Sequence, residues 1–308
     1  MQITVMGAGG VGGYFGARLA AAGNDVTFVA RGAHLAAMRA QGLRLDSELG
    51  ALALAPVRVV ADAREIAAAE TVLFAVKMRD TTSAAESLRG LVANGASVFT
   101  FQNGIDSAKR IGRILGAANV VPGVARIGAH ISAPGVVAQI GSFAQLAFAE
   151  ADGRDSARTR AFCAACQAAG LDAMRAANIE REIWLKFAML APLSGITALT
   201  RLPIGPIRDN PMSRALLDSA VAETVALGMA LHVGLEAADT GRVQRLIDTF
   251  PRSMMASMAH DLLAGKPIEI DALSGTVVRL AAQIGLSAAT HAFFAQALAP
   301  FATGPPRL

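Results

Sequence analysis

Gly7, Gly9 and Gly12 stand in the spacing G-x-G-x-x-G, which lets a backbone turn close against a pyrophosphate. The turn GAGGVG (Gly7, Ala8, Gly9, Gly10, Val11, Gly12) follows the apolar run Ile3–Met6 and opens a helical stretch that Gly23 stops. The amino end of a helix offers unpaired N–H groups and a partial positive charge to a phosphate. In this strand–turn–helix context the motif predicts a dinucleotide site, with a purely structural glycine turn as the competing reading. The following strand ends on Ala30 and Arg31, where an NAD site usually carries Asp or Glu for the ribose hydroxyl. A guanidinium suits a 2′-phosphate instead. NADPH/NADP is therefore the expected cofactor.

Other stretches carry reactive or hydrogen-bonding groups. VLFAVKMRD (72–80) is a strand ending at Lys77, placed either to meet the nucleotide or as an ordinary strand-end lysine. FTFQNGIDS (99–107) ends a strand at Asn103, which suits a nicotinamide or a substrate carbonyl; Asn-Gly is also a common turn pair. In NIEREIWLKFAML (178–190), Lys186 lies beside an apolar helix face containing Ile183, Trp184, Phe187 and Leu190. One reading pairs it with Glu182 four residues earlier on the surface. The other makes it a partly desolvated general acid for a carbonyl reduction. Only Lys77, Lys109, Lys186 and Lys266 are lysines among 28 basic residues, which favours the second reading, because Lys can release a proton and Arg in practice cannot. KPIEIDALSG (266–275) puts Glu269 just ahead of a helix that Asp271 is expected to cap. A carboxylate there either holds a lysine in place or serves the helix start. Ser257 falls on a helix expected from about Arg252 and says little alone.

The elements that must hold these residues follow from apolar patterning. Strand-like runs at Ile3–Met6, Val26–Val29, Val57–Val60, Thr71–Ala75 and Ser97–Phe101 alternate with helical stretches. That alternation predicts an α/β fold, a Rossmann-type doubly wound parallel sheet. Residues 126–149 read as short antiparallel strands, with turns at Ala133-Pro134-Gly135 and Gly141-Ser142. A helix from about Asp155 to Ala169 follows. From Asn178 on the pattern is helical, with starts at Asn178, Asn210-Pro211 and Asp271. The expected organisation is a nucleotide-binding domain over 1–175 and an all-α substrate domain over 176–308, with the substrate between them.

Composition narrows the function class. The net charge of +4 comes from scattered cations without a basic run, which argues against nucleic acid as a partner. MQITV reads as a strand rather than a signal peptide, and the apolar carboxyl-terminal stretch is interrupted by polar residues and Pro300, so no membrane partner is expected and a cytoplasmic protein is. Cys163 and Cys166 form a lone C-x-x-C in the helical stretch FCAACQAAG; two small buried residues are expected there, with no metal. A homodimer is left open.

These pieces together resemble the ketopantoate reductase (2-dehydropantoate 2-reductase) family over nearly the whole chain. The resemblance rests on GAGGVG, Arg31, VKMRD with Lys77, FQNG with Asn103, REIWLKF with Lys186 and IEID with Glu269. It implies NADPH-dependent reduction of a 2-oxo acid, with 2-dehydropantoate reduced to pantoate in pantothenate biosynthesis. By resemblance Lys186 is the catalytic acid and Glu269 its partner. Asn103 and Ser257 contact substrate or nicotinamide, and Arg31 and Lys77 the cofactor phosphates. The family usually shows Asn four, and often eight, residues after the lysine, facing the substrate. Here those substrate-side positions are Leu190 and Ser194, and Pro192 between them is expected to kink or end the helix. A related reductase of another 2-oxo acid or an imine is the alternative; a non-catalytic NADPH sensor is the rival from another class.

Overall fold

A computed structural model of the chain describes residues 1–306. It divides into two compact units, Met1–Glu182 and Ile183–Leu308, the division falling inside the helix that starts at Ile179.

The first unit is built on one sheet. Its strands are β1 (Gln2–Met6), β2 (Asp25–Val29), β3 (Leu43–Ser47), β4 (Leu52–Leu54), β5 (Arg58–Val60), β6 (Thr71–Phe74), β7 (Ser97–Thr100), β8 (Val120–Ala133), β9 (Val136–Phe148) and β10 (Asp172–Arg175). The order is β4-β3-β9-β8-β7-β6-β1-β2-β5, with β10 on β9. From β5 across to β8 every pairing is parallel. The five expected parallel strands all form. Their near-continuous apolar runs reflect helices on both faces. Ile3, Val5, Phe28, Leu73 and Phe99 join the core under α1 (Gly10–Ala21), α2 (Gly32–Gln41) and α6 (Ala157–Ala168). Met6, Val29, Val72, Phe74 and Val98 join the opposite core under α3 (Thr81–Ser87), α4 (Arg89–Ala93) and α5 (Ser107–Leu115). Cys163 and Cys166 on α6 are buried and free, and burial pushes the Cys166 thiol up to about 12, which suits packing and not redox chemistry.

Three strands go beyond the sequence reading. β3 and β4 form a short antiparallel hairpin whose other partner is β9, and β10 adds to the far half of β9. The 126–149 stretch also differs. It belongs to two long strands, β8 and β9, joined at Pro134-Gly135. Gly141-Ser142 is no turn. The register slips there by a bulge, so that Ile127 faces Ala144 while Gly128 faces Ile140. The Gln139 side chain, only 4% exposed, donates to the Ile140 and Gly141 carbonyls at the bulge.

Beyond Asn178 the described residues hold helices and no strand: α7 (Ile179–Thr200), α8 (Ile204–Asp209), α9 (Pro211–Ala230), α10 (Ala238–Asp248), α11 (Ser257–Leu263), α12 (Ser274–Gln283) and α13 (Ala289–Leu298). Asn178 and Asn210 cap as expected: their side-chain oxygens accept from the Arg181 N–H and from the Met212 and Ser213 N–H groups. Asp271 does not cap. It lies in a 3₁₀ turn, Ile270–Ala272, closed on the Glu269 carbonyl, and α12 starts only at Ser274. The helix bearing Ser257 starts at Ser257 itself, because the Arg252 and Met254 carbonyls accept the first N–H groups of α8. Pro192 does not end α7, which continues to Thr200. α7 is long and apolar enough to cross a membrane by length and composition, yet 61% of its apolar window is buried, with Ala188, Leu193 and Ile196 in the core of the second unit.

A buried histidine knits this core. His291 on α13 is wholly buried, with Nε2 3.0 Å from the Ala220 carbonyl and 2.8 Å from Thr224 Oγ1, both on α9. A carbonyl only accepts, so Nε2 carries the proton and Nδ1 accepts from Ser274 Oγ, 3.1 Å away at the start of α12. Glu223 on α9 receives the Thr290 and His291 N–H groups, supplying the cap that α13 lacks locally. Burial lowers the His291 pKa from 6.5 to about 4. The unfolded chain therefore binds more protons than the folded one between these values, and stability is lost as pH falls from about 6.5 towards 4, by roughly 3 kcal/mol in full. Urea unfolding at pH 7 and pH 5 should show this loss in the wild type and a flatter dependence in His291→Gln. An unchanged slope in the variant would refute the assignment.

Candidate active site

The first unit brings Gly7, Gly9, Gly12, Arg31, Lys77 and Asn103 to one edge of the sheet. They follow the carboxyl ends of β1, β2, β6 and β7, consecutive in the order β2-β1-β6-β7. In open α/β sheets that edge, where the strand order reverses beside β1, is where ligands bind.

Steric contacts explain the glycines. A Cβ at Gly12 would collide with the Gly7 carbonyl oxygen, and one at Gly10 with the backbone of Ala129 and His130 on β8. At Gly7 it would lie 2.8 Å from Val76 Cγ1, and φ is +98° there. Gly9 is different: a Cβ would meet nothing within 4 Å, so it would fill open space at the start of α1. The turn is thus held by three crowded glycines and opens at the fourth. A pyrophosphate fits that backbone-lined space, and the residues present fit a dinucleotide.

Beside the turn lies a cleft of about 530 Å³ lined by Met6, Arg31, Ala61, Asp62, Arg64, Ser83, Glu86 and Ser87. Its formal charges cancel, but its acids are already engaged. Arg64 grips Asp62 through two bonds of 2.9 and 2.5 Å and holds that carboxyl down at about 2. Arg89 grips Glu86 and lowers it too. Among the described residues Arg31 forms one ion pair, a long one of 3.8 Å to Asp80, and also draws on the Asp62 carboxyl; its side chain is 64% exposed. It is the cation best placed to receive an anion in this cleft.

Lys77 sits between the end of β6 and the 3₁₀ turn Met78–Asp80. The sequence reading gave no role to its neighbour in space, Gln102. The buried Gln102 amide donates to the Val76 carbonyl and to Thr81 Oγ1, each at 2.9 Å, and Thr81 Oγ1 donates to the Met78 carbonyl. The segment carrying Lys77 is thereby pinned on both sides to Gln102, the residue before Asn103. A Gln preceding Asn-Gly was the available signal. Gln102 Oε1 is buried without a partner. Lys77 and Asn103 are half-buried.

In the second unit Lys186, Leu190 and Ser194 fall at i, i+4 and i+8 on α7, one above another along the helix. Lys186 and Leu190 are half-buried, whereas Ser194 is only 1% exposed and its hydroxyl is buried without a hydrogen-bond partner. Ser257 is exposed at the first turn of α11. Glu269 is half-buried, its backbone fixed by the turn that leads into α12. Glu182, weighed as a surface partner for Lys186, receives Arg126 of β8 at 2.5 Å, both side chains being 28% exposed. Among the described residues no group of three or more His, Cys, Asp or Glu side chains is arranged for a metal.

Comparison with known proteins agrees with this geometry. Residues 3–153 match the family model described as ketopantoate reductase PanE/ApbA, and residues 178–302 match that of its carboxyl-terminal part. A 2-dehydropantoate 2-reductase of Mesorhizobium japonicum is 33% identical over 301 residues, covering 91% of each chain. The crystal structure of 2-dehydropantoate 2-reductase from Geobacter metallireducens superposes with a TM-score of 0.90 at 27% identity, covering 97% of this chain and 99% of that one. A ternary structure of D-mandelate dehydrogenase with NADH and anilino(oxo)acetate shares the fold, with a TM-score of 0.89 at 19% identity over 97% of both chains. The chain belongs to the ketopantoate reductase (PanE/ApbA) family of NAD(P)-dependent oxidoreductases.

Proposed function

We propose that the protein reduces a 2-oxo acid to a 2-hydroxy acid with NADPH, with 2-dehydropantoate as the first candidate substrate and the cytoplasm as its place. The observation that carries this reading is the family match across both units, with Lys186 and Glu269 standing in the segments REIWLKF and IEID. The turn from Gly7 to Gly12 would hold the pyrophosphate on its backbone, Arg31 the 2′-phosphate, and Lys77 and Asn103 the rest of the nucleotide. When bound, the reduced nicotinamide supplies the hydride that C2 of the oxo acid accepts.

Lys186 acts on the oxygen. Its ammonium bonds the C2 carbonyl oxygen, steadies negative charge as the carbonyl π-bond breaks, and gives up one proton to make the hydroxyl. The amine left behind takes a proton back from water. Glu269 favours the charged form of Lys186 and aims it. Asn103 and Ser257 orient the substrate. The half-buried Leu190 favours a second reading, a less polar 2-oxo acid, since an isobutyl group offers no hydrogen bond where the family usually has an amide.

Lys186→Ala should lower kcat by about 10²–10⁴ with NADPH and the best substrate from a panel of 2-oxo acids that includes 2-dehydropantoate. A variant with near-normal kcat would refute the acid role, and a wild type inactive on the whole panel would refute the reaction. Arg31→Ala should raise the Kd for NADPH at least tenfold while changing the Kd for NADH little, as expected for a lost charged hydrogen bond. Equal weakening of both cofactors would show that Arg31 does not read the 2′-phosphate.

A further inference from the structure

His34 is buried in the first unit, 9% exposed, at the start of α2 and three residues after Arg31. Its ring stands between two backbone groups far apart in sequence. The Gly135 N–H, in the β8–β9 turn, donates to Nδ1 at 3.0 Å. Nε2 lies 2.9 Å from the carbonyl oxygen of Ala8, inside the glycine turn. A backbone N–H only donates and a carbonyl only accepts. The ring must therefore be neutral, with its proton on Nε2, and no other protonation state serves both bonds.

Both ends of this strut are themselves held. The Ala8 N–H donates to the Val29 carbonyl at the end of β2, so with His34 on its carbonyl the peptide groups on either side of Ala8 are fixed just before the open position at Gly9. Gly135 has φ +78°, and its carbonyl accepts from the Arg44 N–H of β3. One imidazole thus joins the glycine turn, the helix that follows Arg31 and the β8–β9 hairpin.

We propose that His34 is a positioning residue for the dinucleotide: its neutral, Nε2-protonated ring sets the backbone of the glycine turn for the pyrophosphate and makes cofactor affinity fall when the ring is protonated. The proposal rests on the dinucleotide reading of that turn. A second ring proton would point at the Gly135 N–H, so charging the ring costs one of its two anchors. Burial lowers the His34 pKa from its ordinary 6.5, with the Ala8 carbonyl acting in the opposite sense. The charged or titratable side chains on the surrounding elements are Tyr14 and Arg18 on α1, Asp25 on β2, Arg31 and Arg39 beside and on α2, Arg44 and Asp46 on β3, Arg58 on β5, and Arg126 and His130 on β8. None of them is among the causes of the His34 shift.

The test is the Kd for NADPH of the full-length wild type and of His34→Gln, which cannot charge, measured by cofactor fluorescence from pH 7.5 to pH 5.5. The 2′-phosphate of the cofactor itself titrates near pH 6 in both titrations, so the ratio of the two Kd values isolates His34. Loss of the strut should weaken binding roughly tenfold at pH 7.5, and the ratio should fall as the pH drops below 6.5. A ratio near one at pH 7.5, or one that rises as the pH falls, overturns the proposal. A wild type that binds no dinucleotide at any pH overturns the reading beneath it as well. Nitrogen-15 NMR of histidine-labelled wild type needs no variant: His34 should show a bare Nδ1 and a protonated Nε2 at pH 7.5, perturbed by NADPH. The opposite tautomer, a charged ring, or signals indifferent to the cofactor would overturn the proposal.

Discussion

The amino end of α1 lies so close to the surrounding backbone that three of the four glycines in its turn have no room for a side chain. Gly12 lies on the Gly7 carbonyl, Gly7 on Val76, and Gly10 on the β8 backbone at Ala129 and His130. This close approach fixes where the first helix starts, how it leans on β1, and how β8 passes over it. The open space at Gly9 exists because its neighbours are crowded. A methyl group at a crowded position would force apart elements that hold Arg31, Lys77 and Asn103 at the same sheet edge, so the cofactor edge of the unit follows from packing within one short turn.

Fixing a turn this tight needs more than glycine. Gly permits the conformation but loses the most freedom on folding, so something must hold it. Here the anchors are neutral polar side chains with one donor and one acceptor in use. His34 bridges Gly135 and Ala8, and in the other unit His291 bridges Ser274 and Ala220. Gln102 does related work between β6 and β7 with its amide nitrogen. An imidazole can be buried at modest cost only while uncharged. The rigidity of both units is therefore tied to the same chemical condition, although the two rings share no element.

How much of this was legible in the sequence depended on how local each cause is. The parallel strands were visible because each is a short apolar run bounded by turn residues, and the glycine spacing was visible because its cause lies within six residues. β3, β4 and β10 were not, since each is short and half exposed: β3 and β10 exist because β9 offers each an edge, and β4 because β3 does. Gly141-Ser142 has turn composition, yet the Gln139 side chain stabilises a bulge instead. Asp271 has cap composition, yet the backbone closes on Glu269 first. In the candidate site, Arg31 and Lys186 could be singled out by residue type and Glu269 had two readings as a carboxylate, while Ser257 gained meaning only through family resemblance. His34 could not be found at all, because its two partners are 26 and 101 residues away.

The glycine turn of the first unit and the α7 face of the second tolerate change differently. The glycine turn is made of backbone, where a Cβ at Gly7, Gly10 or Gly12 collides. The α7 face is made of side chains at i, i+4 and i+8, where Leu190 can replace an amide without disturbing the helix, and even Pro192 is absorbed within it. Ser194 shows the cost of such change: its buried hydroxyl has no partner, a state worth about 1–3 kcal/mol against folding. A buried hydroxyl left in that condition marks a position that packing alone would fill with Ala. The glycine turn is thus fixed by sterics, whereas the side chains along this face of α7 remain free to vary.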